Sequence, residues 1–201
     1  MKYLVIFLTF VSFNCMAQDY NTMLSAHRKQ YKADFITDKH SPLKEADLPN
    51  LHFFDADSTY RVNAEVELLT GQPIFKMPTF NGAQQEHIRY ARIKFMLNGK
   101  PQQLFIYQNV TLSKRPEFAD YLFLPFLDQT NSEETYGGGR YIDLKTTDIK
   151  NGHTQIDFNK AYNPYCAYSD GYQCPMPPRE NTLKLKVEAG EKQYTGEKKH
   201  M

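Results

Sequence analysis

The chain has 201 residues, 41% of them hydrophobic and 23% charged, a globular composition that excludes wholesale disorder and a collagen-like repeat. Lys and Arg number 24 against 23 Asp and Glu, so no basic excess drives binding to phosphates or anionic lipid, and no nucleic-acid partner is expected. The one long apolar run lies at the extreme N-terminus, which excludes a polytopic membrane protein.

Lys2 precedes an apolar run from Tyr3 to Phe13, broken by Thr9 and Ser12, and Cys15-Met16-Ala17 ends in a small residue before the polar Gln18-Asp19. This charged, apolar, small-residue order is that of a secretory signal peptide over residues 1–17, too short for a stable transmembrane anchor. It predicts an exported protein, periplasmic or extracellular, with no integral membrane segment after cleavage. Lipid anchoring through Cys15 is the competing reading, disfavoured because Ser12-Phe13-Asn14 is bulkier than the residues that usually precede a lipidated cysteine. Cleavage after Ala17 removes Lys2 and leaves 23 basic and 23 acidic residues.

Cys15 leaves with the signal. Cys166 and Cys174 remain, seven residues between them, among Pro164, Pro175, Pro177 and Pro178. In an oxidising compartment this spacing predicts a disulfide, worth roughly 2–3 kcal/mol on the chain-entropy estimate. A zinc site would need further Cys or His ligands in a cluster, and none is present, so no metal is expected. A thiolate nucleophile would need protection from its neighbour.

Past the signal, Tyr20, Met23, Leu24, His27, Tyr31 and Phe35 recur at steps of three and four, with Arg28, Lys29 and Lys32 opposite. This predicts an amphipathic helix capped by Asp19 or Asn21, with His27 packed and hydrogen-bonded. From Tyr60 the period becomes two. Tyr60, Val62, Ala64, Val66 and Leu68 alternate with Arg61, Asn63, Glu65 and Glu67, giving one buried face and one wet one. Ala91, Ile93, Phe95 and Leu97 alternate likewise before Asn98-Gly99, both suited to the positive φ of a type I′ turn. A two-residue loop there pairs Phe95 with Gln102, Ile93 with Leu104 and Ala91 with Ile106. Further strands are predicted at 74–77, 121–126, 140–144, 154–158 and 182–187, with Pro125 confining its strand to an edge or an early end. Asn151-Gly152 suggests a second hairpin. A one-residue slip in it pairs Leu144 with Phe158 and Lys145 with Asp157, and turns Arg140 toward Tyr162. Eight short strands without helical crossovers predict a mainly β fold. It is a single antiparallel β-sandwich or barrel-like domain over residues 18–190, preceded by one N-terminal amphipathic helix. Residues 191–201 read as a charged flexible tail.

The chemistry concentrates between Asp128 and Asn181. Tyr136-Gly137-Gly138-Gly139-Arg140-Tyr141 sets three glycines beside an arginine. Converging backbone N–H groups can hold an anion that a guanidinium grips, while a tight turn between strands accounts for the glycines on their own. The segment is neither a Walker loop nor a dinucleotide-binding turn. Arg140 shares strand parity with Ile142 and Leu144, so it points inward and must find a partner. Asp157, Asn159, Tyr162 and Asn163 then lead into the cysteine loop with its further tyrosines. Phenols and amides on a stapled loop suit a sugar or small polar molecule, and packing of the tyrosines on the sheet is the bland alternative. The candidate ligand-binding residues are Tyr136, Arg140, Asp157, Asn159, Tyr162 and Asn163.

The segments 122–128 (LFLPFLD), 134–141 (ETYGGGRY) and 157–164 (DFNKAYNP) resemble the signature of bacterial domain-of-unknown-function family 1684. Cys166-Ala167-Tyr168, Cys174-Pro175, Pro177-Pro178 and Glu180-Asn181 continue it, as do the early Ala33-Asp34-Phe35, Ser41-Pro42-Leu43 and Phe53-Phe54. The resemblance covers nearly the whole mature chain. It implies a single domain and brings no established activity.

Two functions fit these residues. One is a ligand-binding domain in which Arg140 and the 157–168 loop surround a small polar or anionic molecule, with no cofactor. The alternative is an exported hydrolase or lyase acting on a carbohydrate or other envelope component through carboxylates among Asp128, Glu133, Glu134 and Asp157. Two of these would have to face one cleft. No Gly-x-Ser-x-Gly elbow or His-Glu-x-x-His helix is present. A cavity with two carboxyls, one of raised pKa, would mark the enzyme, and a pocket floored by Arg140 the binding protein.

Overall fold

The computed structural model describes the backbone of residues 2–200 and the side chains of residues 19–200. The signal peptide at 1–17 and lipidation of Cys15 concern side chains outside the described residues. Helix α1, Lys2–Thr37, is already helical at Asp19 and Asn21, so neither acts as its cap. Tyr20, Leu24 and Phe35 are buried at the predicted spacing, while Met23 on the same stripe is exposed. Among the described residues no helix is long and apolar enough to cross a membrane.

Seven strands follow: β1 Arg61–Leu68, β2 Phe75–Pro78, β3 Gln84–Leu97, β4 Lys100–Asn109, β5 Tyr121–Phe126, β6 Arg140–Lys145 and β7 His153–Asp157. They make one antiparallel sheet in the order β6-β5-β4-β3-β1-β7, with β2 beside β3. The sheet curls into a half-barrel, so the barrel-like form of the predicted fold is the one adopted. Asn98 and Gly99 take φ of 51° and 71°, and the hairpin has the predicted register: Phe95 opposite Gln102, Ile93 opposite Leu104, Ala91 opposite Ile106. β3 begins earlier than its apolar alternation indicates. A bulge between Arg89 and Ala91 bends it, so its first part pairs with β2 and its second part with β1.

The second hairpin closes only at its tip, where Lys150 and His153 exchange main-chain hydrogen bonds of 2.8 and 2.9 Å, and it does not extend into a β6–β7 ladder. Asn151 and Gly152 have positive φ as a turn requires, but β6 pairs with β5 (Phe126 opposite Arg140, Leu122 opposite Leu144) and β7 pairs with β1. Lys145 lies opposite Tyr121 rather than Asp157. After β6 the chain makes a tight turn at Thr146–Asp148, where the Thr146 N–H donates to the Asp120 carbonyl at 2.8 Å. The turn carries the chain away, and β7 adds to the far edge of the sheet. Tyr141, not Arg140, meets Tyr162.

Pro125 sits in an interior strand rather than at an edge, and of the two expectations the early end is met: β5 stops one residue later at Phe126, and a side chain replaces the ladder that Pro125 cannot join. Asn181 is fully buried, and its Nδ2 donates to the Phe105 carbonyl at 2.8 Å and to the Pro125 carbonyl at 2.7 Å. Its Oδ1 accepts the Phe105 N–H at 2.8 Å. One amide thus bridges β4 and β5 beyond their single pairing at Tyr107 and Phe123.

The predicted strand at 182–187 keeps its alternation without forming a regular ladder. Leu183, Leu185, Val187 and Ala189 are buried in the barrel core, with Lys184, Lys186 and Glu188 exposed. Leu183 N–H bonds the Leu127 carbonyl at 2.8 Å, and the Leu185 carbonyl accepts from Gln129 N–H at 3.0 Å. Beyond Leu185, side chains take over. Arg140 Nη2 donates to the Val187 carbonyl at 2.8 Å, and Nη1 donates to the Ala189 carbonyl and, at 3.3 Å, to that of Glu191. Asp128 Oδ1 accepts the Val187 N–H at 3.1 Å, and its Oδ2 holds Arg140 Nη2 at 2.8 Å. Neither charged side chain is exposed.

The flexible tail expected at 191–201 is docked over its described residues. Glu191 and Tyr194 are buried, Gln193 N–H donates to the Glu134 carbonyl at 2.9 Å, and Lys199 N–H to that of Tyr168 at 2.8 Å. The inward parity of 183–189 carries on to Glu191, which charge content alone does not reveal. Arg140→Met leaves Asp128 charged and three carbonyls without their donor. A stability loss of about 3–5 kcal/mol in urea unfolding is expected. A loss below about 1 kcal/mol would remove this pair from the supports of the fold.

Candidate functional site

β6 and β7 end the sheet and do not pair with each other. Residues 158–163 cross from β7 to β6, where Tyr141 and Tyr162 exchange main-chain hydrogen bonds of 2.9 and 3.0 Å. The gap that remains is a cavity of about 900 Å³. Its walls are β6 (Tyr141 to Leu144), β7 (Thr154, Gln155, Asp157), the 160–165 and 172–175 segments, and α1, which contributes His27, Gln30, Tyr31, Asp34 and Phe35.

Of the six candidate ligand-binding residues, Asp157 and Tyr162 line this cavity. Arg140 does not, since its guanidinium is enclosed by Asp128, the 187–191 carbonyls and the Phe126 ring at 5.3 Å. The pocket expected around Arg140 is therefore corrected: the side chain is inward, as parity requires, and its partner is internal. The glycines follow the same logic. Gly139 has φ +88°, and a Cβ there would lie 2.6 Å from the Phe126 carbonyl oxygen, so the turn serves close packing and the entry into β6. Tyr136 packs on Phe80, ring centroids 5.9 Å apart, away from the cavity. Asn159 ties Asp57 to Asp157, its Nδ2 donating to the Asp57 carbonyl at 2.8 Å and to Asp157 Oδ1 at 3.0 Å. Asn163 is buried, its N–H donating to Glu191 Oε2 at 2.9 Å and its Nδ2 to the Lys192 carbonyl at 2.8 Å.

The four carboxylates of the enzyme alternative do not share a cleft. Asp128 is sealed against Arg140, and Glu133 and Glu134 pair with Lys186 at 3.1 and 2.8 Å on the outside. Asp157 alone reaches the cavity, already accepting Tyr20 OH at 3.0 Å and Asn159 N–H at 3.1 Å on Oδ1. Cys166 and Cys174 are buried free thiols here, so the expected disulfide is not formed, and Cys174 borders the cavity.

Residues the sequence did not single out complete the site. Asp143 lies on the wall, its Oδ1 accepting Tyr121 OH and Tyr162 OH, each at 2.8 Å. Desolvation raises its pKa, against the two phenols that stabilise its charge. Thr154 is 6% exposed, and its hydroxyl has no hydrogen-bond partner. His27, expected to be packed, is exposed on the rim. Tyr31 and Tyr162 stand 6.1 Å apart, and Tyr165 and Tyr172 meet edge-on at 5.2 Å, giving an aromatic wall. Asp34, Asp143, Asp148 and Asp157 are offset by Arg61, Lys150 and Lys160, so no single sign of charge dominates. β6 parity marks Asp143 as outward, and only the crossing segment turns that face into a cavity wall.

Behind Tyr31 lies Glu191, fully buried, accepting Tyr168 OH at 2.6 Å, Tyr31 OH at 2.9 Å and Asn163 N–H at 2.9 Å. Burial pushes its carboxyl up to about 7, which these donors oppose without reversing. A raised carboxyl pKa means that the folded state holds the proton more tightly than the unfolded state. Stability from this group is present below the unfolded value of about 4.5 and falls as pH rises to about 7, by roughly 3 kcal/mol. Glu191→Gln removes that term, and its urea stability should change less than the wild type's between pH 5 and 8. Equal slopes would assign the pH dependence to other groups.

The fold is shared with a solved relative. The chain is similar to the solution NMR structure of an uncharacterised protein from Haloarcula marismortui, with 32% identity and a TM-score of 0.68, covering 90% of this chain and 98% of that one. No curated protein matches it. A family model matches residues 46–192, a span that holds all seven strands, the Arg140–Asp128 pair and the cavity walls from Tyr141 to Pro175. On that match, over most of its length, the chain belongs to the family described as "Protein of unknown function (DUF1684)".

Proposed function

We propose that this is an exported protein that binds a small, uncharged, hydroxyl-rich molecule, such as a sugar or cyclic polyol, in the cavity between β6 and β7. The signal-like residues 1–17 support export. One observation carries the ligand reading: Thr154, a wall residue of the cavity, is more than nine-tenths buried, and its hydroxyl has no hydrogen-bond partner. A buried hydroxyl without a hydrogen bond is a standing penalty that a ligand hydroxyl removes. The remaining walls agree with that chemistry. Tyr31, Tyr162 and Tyr165 offer flat apolar faces, and Asp143 offers an acceptor for a ligand hydroxyl. The near balance of acidic and basic wall residues favours a neutral ligand over the anion first suggested by Arg140.

The hydrolase or lyase reading has the carboxyls it asks for: Asp143, its pKa raised by desolvation, shares the cavity wall with Asp34, Asp148 and Asp157. Each candidate second carboxylate already holds part of the fold: Asp157 Oδ1 accepts from Tyr20 and Asn159, Asp148 Oδ2 accepts the Lys145 N–H at 2.8 Å, and Asp34 Oδ1 accepts Gln30 Nε2 at 2.8 Å. The unpartnered Thr154 hydroxyl, for which two-carboxylate hydrolysis has no use, favours binding.

Thermal shift against neutral monosaccharides, disaccharides, cyclic polyols and their phosphorylated forms tests the assignment. A neutral hydroxylated compound should raise the Tm, and Thr154→Val should weaken its binding about five- to tenfold. The same substitution should stabilise the unliganded protein by about 1 kcal/mol, because the lone hydroxyl is gone. Unchanged affinity in Thr154→Val, or no shift with any neutral compound, overturns the reading. Turnover of a bound glycoside that is lost in Asp143→Asn would replace it with the enzyme.

A further inference from the structure

The two cysteines occupy a junction. Cys166 lies in the turn Tyr165–Ala167, which leans on α1: Tyr165 OH donates to Asp38 Oδ2 at 2.8 Å, and its ring is 5.7 Å from that of Phe35. Cys174 is tied to the sheet side instead. Its carbonyl accepts Phe80 N–H at 3.1 Å, and Met176 N–H donates to the Pro78 carbonyl at 2.8 Å. Between them, Tyr172 closes over the loop, its OH donating to the His40 carbonyl at 2.6 Å. The sulfurs are where these two anchored pieces meet. Cys166 N–H donates to Cys174 Sγ at 3.2 Å, and Cys166 Sγ donates to the Tyr172 carbonyl at 3.2 Å.

We propose that Cys166 and Cys174 are a redox-active dithiol that takes a small disulfide as substrate and, on closing to an intramolecular disulfide, clamps the 172–175 wall of the cavity to the helix side. Cys174 borders the cavity and Cys166 does not, so a substrate there approaches the pair from the Cys174 side. A thiolate of the pair attacks one sulfur of the small disulfide. That S–S bond breaks, the first thiolate leaves, and a mixed disulfide remains on the protein. The second cysteine gives up its proton and attacks the protein's sulfur in that mixed disulfide, expelling the second thiolate. The dithiol is oxidised by two electrons, the small disulfide is reduced to two thiols, and the two cysteine protons end on those products. The geometry eases the first step, because the Cys166 N–H that donates to Cys174 Sγ stabilises a negative charge on that sulfur. Closure calls for little backbone movement, since Cys174 Sγ already touches the backbone of Cys166.

The test uses the full chain carrying Cys15→Ser, so that only the pair reports. Reduced protein is equilibrated in glutathione buffers from reducing to oxidising, quenched with an alkylating reagent and weighed intact. The expected product has lost two hydrogens, takes up no alkyl groups and retains no glutathione, and dithiothreitol reverses it. Cys166→Ser and Cys174→Ser should each stop at a glutathione adduct. Two alkylatable thiols at every buffer ratio, or a stable adduct on the unsubstituted pair, overturns the proposal. Amide hydrogen exchange over 166–176 should slow at least tenfold in the oxidised form, and unchanged exchange overturns the clamp. These readouts need no cavity ligand, so they fail or succeed separately from the binding assignment.

Discussion

The ion pair of Arg140 and Asp128 stands where a closed barrel would have another strand ladder. The segment from Leu183 to Glu191 runs through the mouth of the half-barrel with its apolar side chains inward, and between the main-chain bonds of Leu185 and those of Gly190 and Glu191 it depends on side chains to bond its peptide groups. Buried carbonyls need donors, and a planar guanidinium with several fixed N–H groups serves three of them while its charge is met by Asp128. Asp128 in turn takes the Val187 N–H. A buried pair of this kind is weak as a source of net stability and strong as a constraint. Any other placement of the segment would strand a charge and several peptide groups in an apolar core.

The same economy recurs wherever the sheet is irregular. Asn181 supplies the bonds that Pro125 removes between β4 and β5, and Asn159 ties the crossing segment to Asp57 and Asp157. The conspicuous polar residues of the C-terminal half are therefore occupied with backbone. What they leave open is the gap between β6 and β7. There, tyrosines from α1, β6 and the crossing segment form walls around Asp143 and the unpartnered Thr154.

Local and pairwise features were legible in the residues. The Asn98-Gly99 turn sets a register because two positive-φ positions and a two-residue period agree on the same pairs. Inward-facing Arg140 follows from parity with Ile142 and Leu144. Its partner does not, because Asp128, twelve residues away, reaches it only after the chain has turned from β5 through the glycine segment. The Asn151-Gly152 turn failed as a guide to pairing for a related reason. A turn fixes the direction of the chain over a few residues, while the choice of β5 for β6 and β1 for β7 belongs to the whole sheet. Glu191 was readable as inward by continuing the alternation of 183–189, a signal hidden by the charged residues around it.

The amino-acid order alone thus determined the mainly β class, the N-terminal helix, most strand positions, one complete hairpin and the inward arginine. Each depends on neighbours a few residues apart, whose φ preferences and apolar periods act before any long-range contact exists. The tertiary structure decided which strands end the sheet, that Arg140 closes the core rather than a pocket, and that Asp143, Thr154 and Tyr31 share a cavity. Those facts depend on residues distant in the chain meeting at the edges of a curled sheet. No periodicity records such meetings, because burial and hydrogen-bond satisfaction are settled by the packed whole.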